Sequence, residues 1–145
     1  MISGGCLCGE VRFEVRGSVS SIASCHCSRC RKAYGAAFGT VAVVEGKDFV
    51  YTAGEALIVS FQSSARVNRP FCRRCGSRLP IREEWDPLVG IPAGLLDGDP
   101  GTKPSSHIFV ASKAPWWDIT DSLPQHPEWA PSEDFDARFE QLKKT

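Results

Sequence analysis

The stretch "EVRFEV" (10–15) alternates polar and apolar positions, so Val11, Phe13 and Val15 share one side of a half-buried strand. "FGTVAVVEG" (38–46) is β-branched and stops at a turn-like Glu-Gly. "FVYT", "ALIVSF" and "RVNRPFC" follow, each short, rich in apolar residues and bounded by glycine or polar clusters. "PLVGIPAGLL" and "SHIFVAS" read as further strands, separated by "DGDPGTKPSS", a loop by composition. This spacing predicts a mainly β fold. Two helical pieces interrupt it. One short turn or helix falls in "CSRCRKAYGAA", after Cys27. The other is a C-terminal helical tail over 131–145, where Ser132 serves as N-cap and Glu133 and Asp134 suit the positive end. Lys143 and Lys144 suit its negative end, and Phe135, Phe139 and Leu142 form a face to dock on the sheet. Residues 114–131, rich in Pro and Trp, read as irregular packed chain, with Trp116 and Trp117 taken chiefly as core.

The length of 145 residues suits one domain over 1–145 with a sizeable core. Seventeen basic and seventeen acidic residues leave no net charge, which argues against nucleic acid or another polyanion as a partner. No apolar run is long enough to span a membrane, and "MISGGCLCGE" lacks the features of a signal peptide. A cytoplasmic location is therefore expected. Nothing in the pattern specifies an oligomeric state.

Seven cysteines change the picture. An odd number excludes complete pairing within the chain, and a reducing cytosol keeps thiols free. They fall as Cys6-x-Cys8, Cys25-x-Cys27-x-x-Cys30 and Cys72-x-x-Cys75, with none left over. Clustered free thiols are soft-metal ligands, most often for zinc, and a redox CxxC is the competing reading. Seven donors divide as four plus three. Gly9 follows Cys8 and Gly76 follows Cys75, each able to take positive φ and turn backbone amides toward the sulfurs. Cys6, Cys8, Cys72 and Cys75 thus read as two knuckles closing one structural zinc site across a long loop. Cys25, Cys27 and Cys30 make a second zinc site with three sulfur ligands and a fourth position left open.

An open zinc site accepts water or a thiol, and a bound thiol is deprotonated and primed for attack on a carbonyl carbon or for departure from one. Zinc-bound water would instead want a general base, for which Glu83, Glu84 and Asp86 are the nearest names. On an extended segment Cys25 and Cys27 point one way and His26 the other, so His26 reads more as a supporting or packing group than as a ligand. His107 and His126 lie in loop-like sequence and read as solvated or structural. Arg73, Arg74 and Arg78 are accounted for as counter-charges to thiolates. For Arg29, Arg31 and Lys32 two readings stand, counter-charge or contact with substrate carboxylates.

The ordered segments "GGCLCGEVRFEV", "SCHCSRCRKAYGAAFGT", "FCRRCGSRL", "GLLDGDPG" and "HIFVASKAPWW" closely resemble the GFA family, the glutathione-dependent formaldehyde-activating enzymes and their relatives. The resemblance runs from about Gly5 to Pro124 and includes all seven cysteines. It implies coiled, mainly antiparallel β-sheets around a structural zinc held by Cys6, Cys8, Cys72 and Cys75. It implies a catalytic zinc on Cys25, Cys27 and Cys30, and a carbon–sulfur lyase-type activity joining glutathione and formaldehyde as S-hydroxymethylglutathione. The alternative is a non-catalytic, zinc-stabilised binding or scaffold domain with a vestigial second metal site.

Overall fold

A computed structural model describes residues 1–131. It is mainly β. One four-stranded antiparallel sheet contains β1 (Ile2–Gly5), β2 (Arg12–Val15), β5 (Phe49–Ala53) and the short β10 (Leu96–Asp97), in the order β10-β1-β2-β5. A five-stranded sheet contains β3 (Ser21–Cys25), β4 (Gly39–Glu45), β8 (Ile81–Arg82), β9 (Leu88–Pro92) and β11 (Pro104–Ile108), in the order β11-β3-β4-β9-β8. Its pairings are antiparallel except β11 against β3, which is parallel. A hairpin, β6 (Ile58–Gln62) with β7 (Asn68–Cys72), completes the strands. The helix α1 (Ser28–Tyr34) sits between β3 and β4.

The alternation in β2 does what its period requires. Phe13 and Val15 are fully buried while Arg12 and Glu14 face outward. They join Val19, Ile22, Ala42, Val44, Phe49, Val89 and Ile91 in the main core, drawn from both large sheets. A second cluster gathers Val11 and Leu79 around Cys6 and Cys72, and a third sets Ile108 against Cys25 and Cys30. Each cysteine set therefore has its own apolar surround.

Most strands fall where the pattern puts them. "PLVGIPAGLL" divides into β9, a 3-10 turn at Ala93–Leu95 and β10, so one apolar run serves two sheets. The stretch read as a loop, "DGDPGTKPSS", yields its last residues to β11, and "FVAS" leaves the strand for a 3-10 turn. A parallel edge strand tolerates Pro104 at its first position, where no ladder N–H is needed. Residues 114–131 are irregular, as expected, but Trp116 and Trp117 are exposed rather than core. The helix expected in the C-terminal tail lies outside the described residues. Among the described residues, no helix is long and apolar enough to cross a membrane.

Candidate metal centres

The first pair of cysteines sits at the β1–β2 turn. The Cys6 N–H donates to the Val11 carbonyl (3.1 Å) and the Val11 N–H returns to Cys6 Sγ (3.3 Å). Gly9 adopts φ +80°, and its N–H closes the turn on the Cys6 carbonyl at 3.0 Å. The second pair follows β7 and repeats the device, with Gly76 at φ +77° and its N–H 2.7 Å from the Cys72 carbonyl. Both turns need a left-handed residue, and glycine takes that conformation without steric cost. The two turns are tied together where the Leu7 N–H donates to Ser77 Oγ at 2.8 Å. Ser77 Oγ also lies 3.3 Å from Cys75 Sγ, and the hydrogen bond between them draws the Cys75 thiol down to about 5.

The four sulfurs of Cys6, Cys8, Cys72 and Cys75 all lie within 4.8 Å of one another, with Cys6–Cys8 at 3.4 Å and Cys8–Cys72 at 3.9 Å. Four sulfurs about 2.3 Å from a tetrahedral zinc stand about 3.8 Å apart, so this quartet fits the ion as it stands.

Cys25, Cys27 and Cys30 also converge within 4.8 Å, and among the described residues no histidine or carboxylate donor joins them. Their placement follows from a strand running into a helix. Cys25 ends β3, Cys27 is the N-cap of α1, and Cys30 lies in the first turn with its N–H donating to Cys27 Sγ at 3.2 Å. Hydrogen bonds from Cys25 and Cys30 draw Cys27 down to about 2, and Cys25, the partner that keeps its proton, is pushed up. The buried Arg69 places Nη1 4.0 Å from Cys30 Sγ, with its Nε donating to Ser63 Oγ at 3.0 Å. Arg69 carries no local signal of this role, because it is distant in sequence and reaches the trio only through β7.

His26 points away from the trio, as the alternation requires, but into an unforeseen network. It is fully buried, with Nε2 2.8 Å from Nδ1 of His107, whose Nε2 lies 2.9 Å from Asp121 Oδ2. The carboxylate accepts from His107 Nε2–H, so a neutral His107 accepts at Nδ1 from His26 Nε2–H. His26 Nδ1 is then a lone pair, enclosed and without a partner. Burial holds His26 below the ordinary imidazole range and keeps it neutral. His107 is thus a buried relay residue, not a solvated one. His126 does not enter the relay by its side chain, its backbone instead pairing with His107 and Val110.

The basic residues sort differently from their sequence neighbours. Arg73 and Arg74 are exposed, and Arg74 pairs with Glu10 at 3.1 Å. Arg29 and Lys32 are exposed too, while Arg31 is half-buried with an enclosed, unpartnered Nε. Arg78, although three residues from Cys75, belongs to the trio's surroundings. Its guanidinium lies 6.0 Å from the ring centre of Tyr34, one helical turn beyond Cys30, and Arg78 feels the charge of Cys30. Glu83 is occupied by the Asn68 N–H at 2.5 Å, and Asp86 accepts from the Leu88 N–H at 3.0 Å. Neither joins the cysteines.

Beside Tyr34 an open cleft of about 350 Å³ is bounded by Tyr34, Phe38, Thr40, Arg78, Pro92 and Leu95. Trp117 stands edge-on to Phe38 at 5.8 Å, which places one of the two tryptophans at this rim.

The family model described as glutathione-dependent formaldehyde-activating enzyme matches residues 1–112. Proteins of Aspergillus flavus and Podospora anserina, provisionally named as glutathione-dependent formaldehyde-activating enzymes, are 32% and 31% identical over 113 residues. Each alignment takes in 74% of this chain but only 59% and 53% of the relative, so the chain spans little more than half the length of either. A crystal structure of a Rhodobacter sphaeroides protein superposes with a TM-score of 0.57 at 25% identity, covering 67% of this chain and 89% of that one.

Proposed function

The chain belongs to the glutathione-dependent formaldehyde-activating enzyme family, and from that membership we propose a zinc-dependent enzyme that joins a small thiol, glutathione or a close relative, to formaldehyde. In this reading Cys6, Cys8, Cys72 and Cys75 hold a structural zinc, and Cys25, Cys27 and Cys30 hold the catalytic one. The carrying observation is the inequality of the two sets: four sulfurs against three, with no further His, Asp or Glu donor at the three among the described residues. A zinc ion on the trio supplies a Lewis acid with a position for the substrate sulfur, lowering the pKa of that thiol.

The chain's own residues do the rest. Cys25, Cys27 and Cys30 fix where the sulfur must stand, and the helix cap between Cys27 and Cys30 holds their geometry. Arg69 offsets the negative charge of the thiolates, so a further anionic sulfur is tolerated there. Tyr34, pushed up to about 12 by burial and by the charge on Cys30, stays protonated and lines the cleft. The reaction class is carbon–sulfur bond formation, reversible as lyase chemistry, with S-hydroxymethylglutathione as product.

Cobalt substitution tests this directly. Glutathione added to the cobalt-loaded protein is expected to shift the charge-transfer and ligand-field bands of the trio site, and formaldehyde plus glutathione to give the hydroxymethyl adduct faster than the uncatalysed rate by NMR. Bands that stay unchanged at millimolar thiol would refute the assignment.

A further inference from the structure

We propose that Arg78 is a carboxylate anchor and that the cleft it lines selects thiols carrying a carboxylate. This inference rests on the reading of the trio as the thiol site and adds the specificity of its other end.

The charges around the trio leave Arg78 in surplus. Three thiolates on a divalent ion carry one net negative charge. Arg69, buried with Nη1 4.0 Å from Cys30 Sγ, already offsets it. Arg78 adds a second cation near the same sulfur, and no acidic residue pairs with it among the described residues. Its Nε is enclosed and makes no hydrogen bond. Arg74, close in sequence, shows the contrasting case of an arginine that has found its carboxylate, Glu10.

The surroundings are those of an anion pocket. Arg78 is the charged residue among the lining residues of the cleft, the others being aromatic, apolar, hydroxyl-bearing or glycine. A half-enclosed cation with free N–H groups loses hydration without compensation until an anion arrives. A guanidinium offers two parallel donors that match a carboxylate, and Tyr34 beneath it limits the directions from which one can approach. Tyr34 also packs against Cys25 and Cys30, so one side chain connects the sulfur end of the site to the cleft. Its position is enforced by Gly39, where a Cβ would stand 2.7 Å from the Tyr34 ring. The cleft volume lies within the range of small-molecule sites. The ligand class is therefore a small thiol acid, its sulfur toward the trio and its carboxylate on Arg78.

Calorimetric titration of the zinc-loaded protein with 3-mercaptopropionate and with its neutral partner 3-mercaptopropionamide tests this. Wild type is expected to bind the acid about tenfold or more tightly than the amide, the worth of a charge-assisted hydrogen bond at a partly enclosed site. Arg78→Gln should bring that ratio close to one. Arg78→Lys, which keeps the charge but not the planar fork, should give an intermediate ratio and serves if the Gln variant does not fold. Equal binding of both thiols by wild type overturns the proposal, as does a preference that survives in Arg78→Gln or is undiminished in Arg78→Lys. Equal weakening of both thiols by Arg78→Gln overturns it as well, since Arg78 would then serve the sulfur end. If neither thiol binds, the thiol reading of the trio fails and the anchor with it; if both bind without preference, only the anchor fails.

Discussion

Removing one ligand from each cysteine set should have unequal effects on stability, and the inequality can be worked from the chain's connectivity. Cys72 lies 64 positions from Cys8, its neighbour in the quartet, and is fully buried between β7 and the β1–β2 turn. A metal there closes a long loop. The trio lies within six consecutive residues, Cys25 to Cys30, joined by strand and helix in any case. Loop-closure entropy grows as (3/2)RT ln n, so the quartet metal constrains the unfolded chain by roughly 2 kcal/mol more than the trio metal. For a chain of this size each kcal/mol is worth about 2–4 °C of melting temperature. Cys72→Ser is therefore expected to melt roughly 4–8 °C below Cys27→Ser by this term alone. The polar hydroxyl left in the apolar cluster of Val11 and Leu79 widens the gap. Differential scanning calorimetry of the two variants, each produced with zinc supplied and its zinc content measured in parallel, reads it. Equal melting temperatures, or a lower one for Cys27→Ser, would refute the division into a site that holds the fold and a site that does not.

Three further outcomes are expected. Wild type should carry two zinc ions per chain by mass spectrometry under native conditions, and a mild chelator should remove the one with three protein ligands first, leaving the melting temperature nearly in place. His26→Leu and His107→Leu should each cost about 1–3 kcal/mol in chemical denaturation, because each strands a buried partner, while the double variant should cost less than their sum. Strict additivity would remove the relay. The Asp121 carboxyl, held below the usual range by its hydrogen bond to His107 and then by the Leu123 N–H, should titrate lower by NMR than in His107→Leu. Its folded value is depressed, so its stabilising contribution is complete above about pH 4 and is lost as pH falls below that.

The cysteine sets were legible because their chemistry is carried by local spacing and a small number of glycines. Cys-x-Cys and Cys-x-x-Cys place sulfurs together whatever the surrounding sheet does, and Gly9 and Gly76 take the left-handed conformation that the knuckles require. The alternation in β2 and the β-branched run of β4 were equally local signals. What escaped were features made by strand order. His107 stands in a stretch whose strand character is legible but whose neighbour is not: only the parallel pairing of β11 with β3 sets it beside Ser24 and within reach of His26. Arg69 reads only as a β7 residue until that strand is carried to the trio. Arg78 misled in the opposite sense: proximity to Cys75 in sequence suggested the quartet, whereas the chain past Gly76 turns it toward Tyr34. Trp116 and Trp117 misled by size alone, since large aromatic residues after a strand are more often core than rim.

These corrections fall on the trio's side of the molecule, and that has a physical reason. The quartet is complete in itself, four sulfurs being enough for a tetrahedral ion, so its neighbours need only pack around it and the local sequence describes it well. A set of three leaves its charge and its surroundings to be met from elsewhere. The groups that gather there are Arg69 from β7, Tyr34 from α1 and Arg78 from beyond the second knuckle. No short motif can encode such an assembly, because its members are adjacent only after the sheets form. An incomplete donor set is thus the sign, visible in sequence, of where the fold must supply residues that the sequence does not announce.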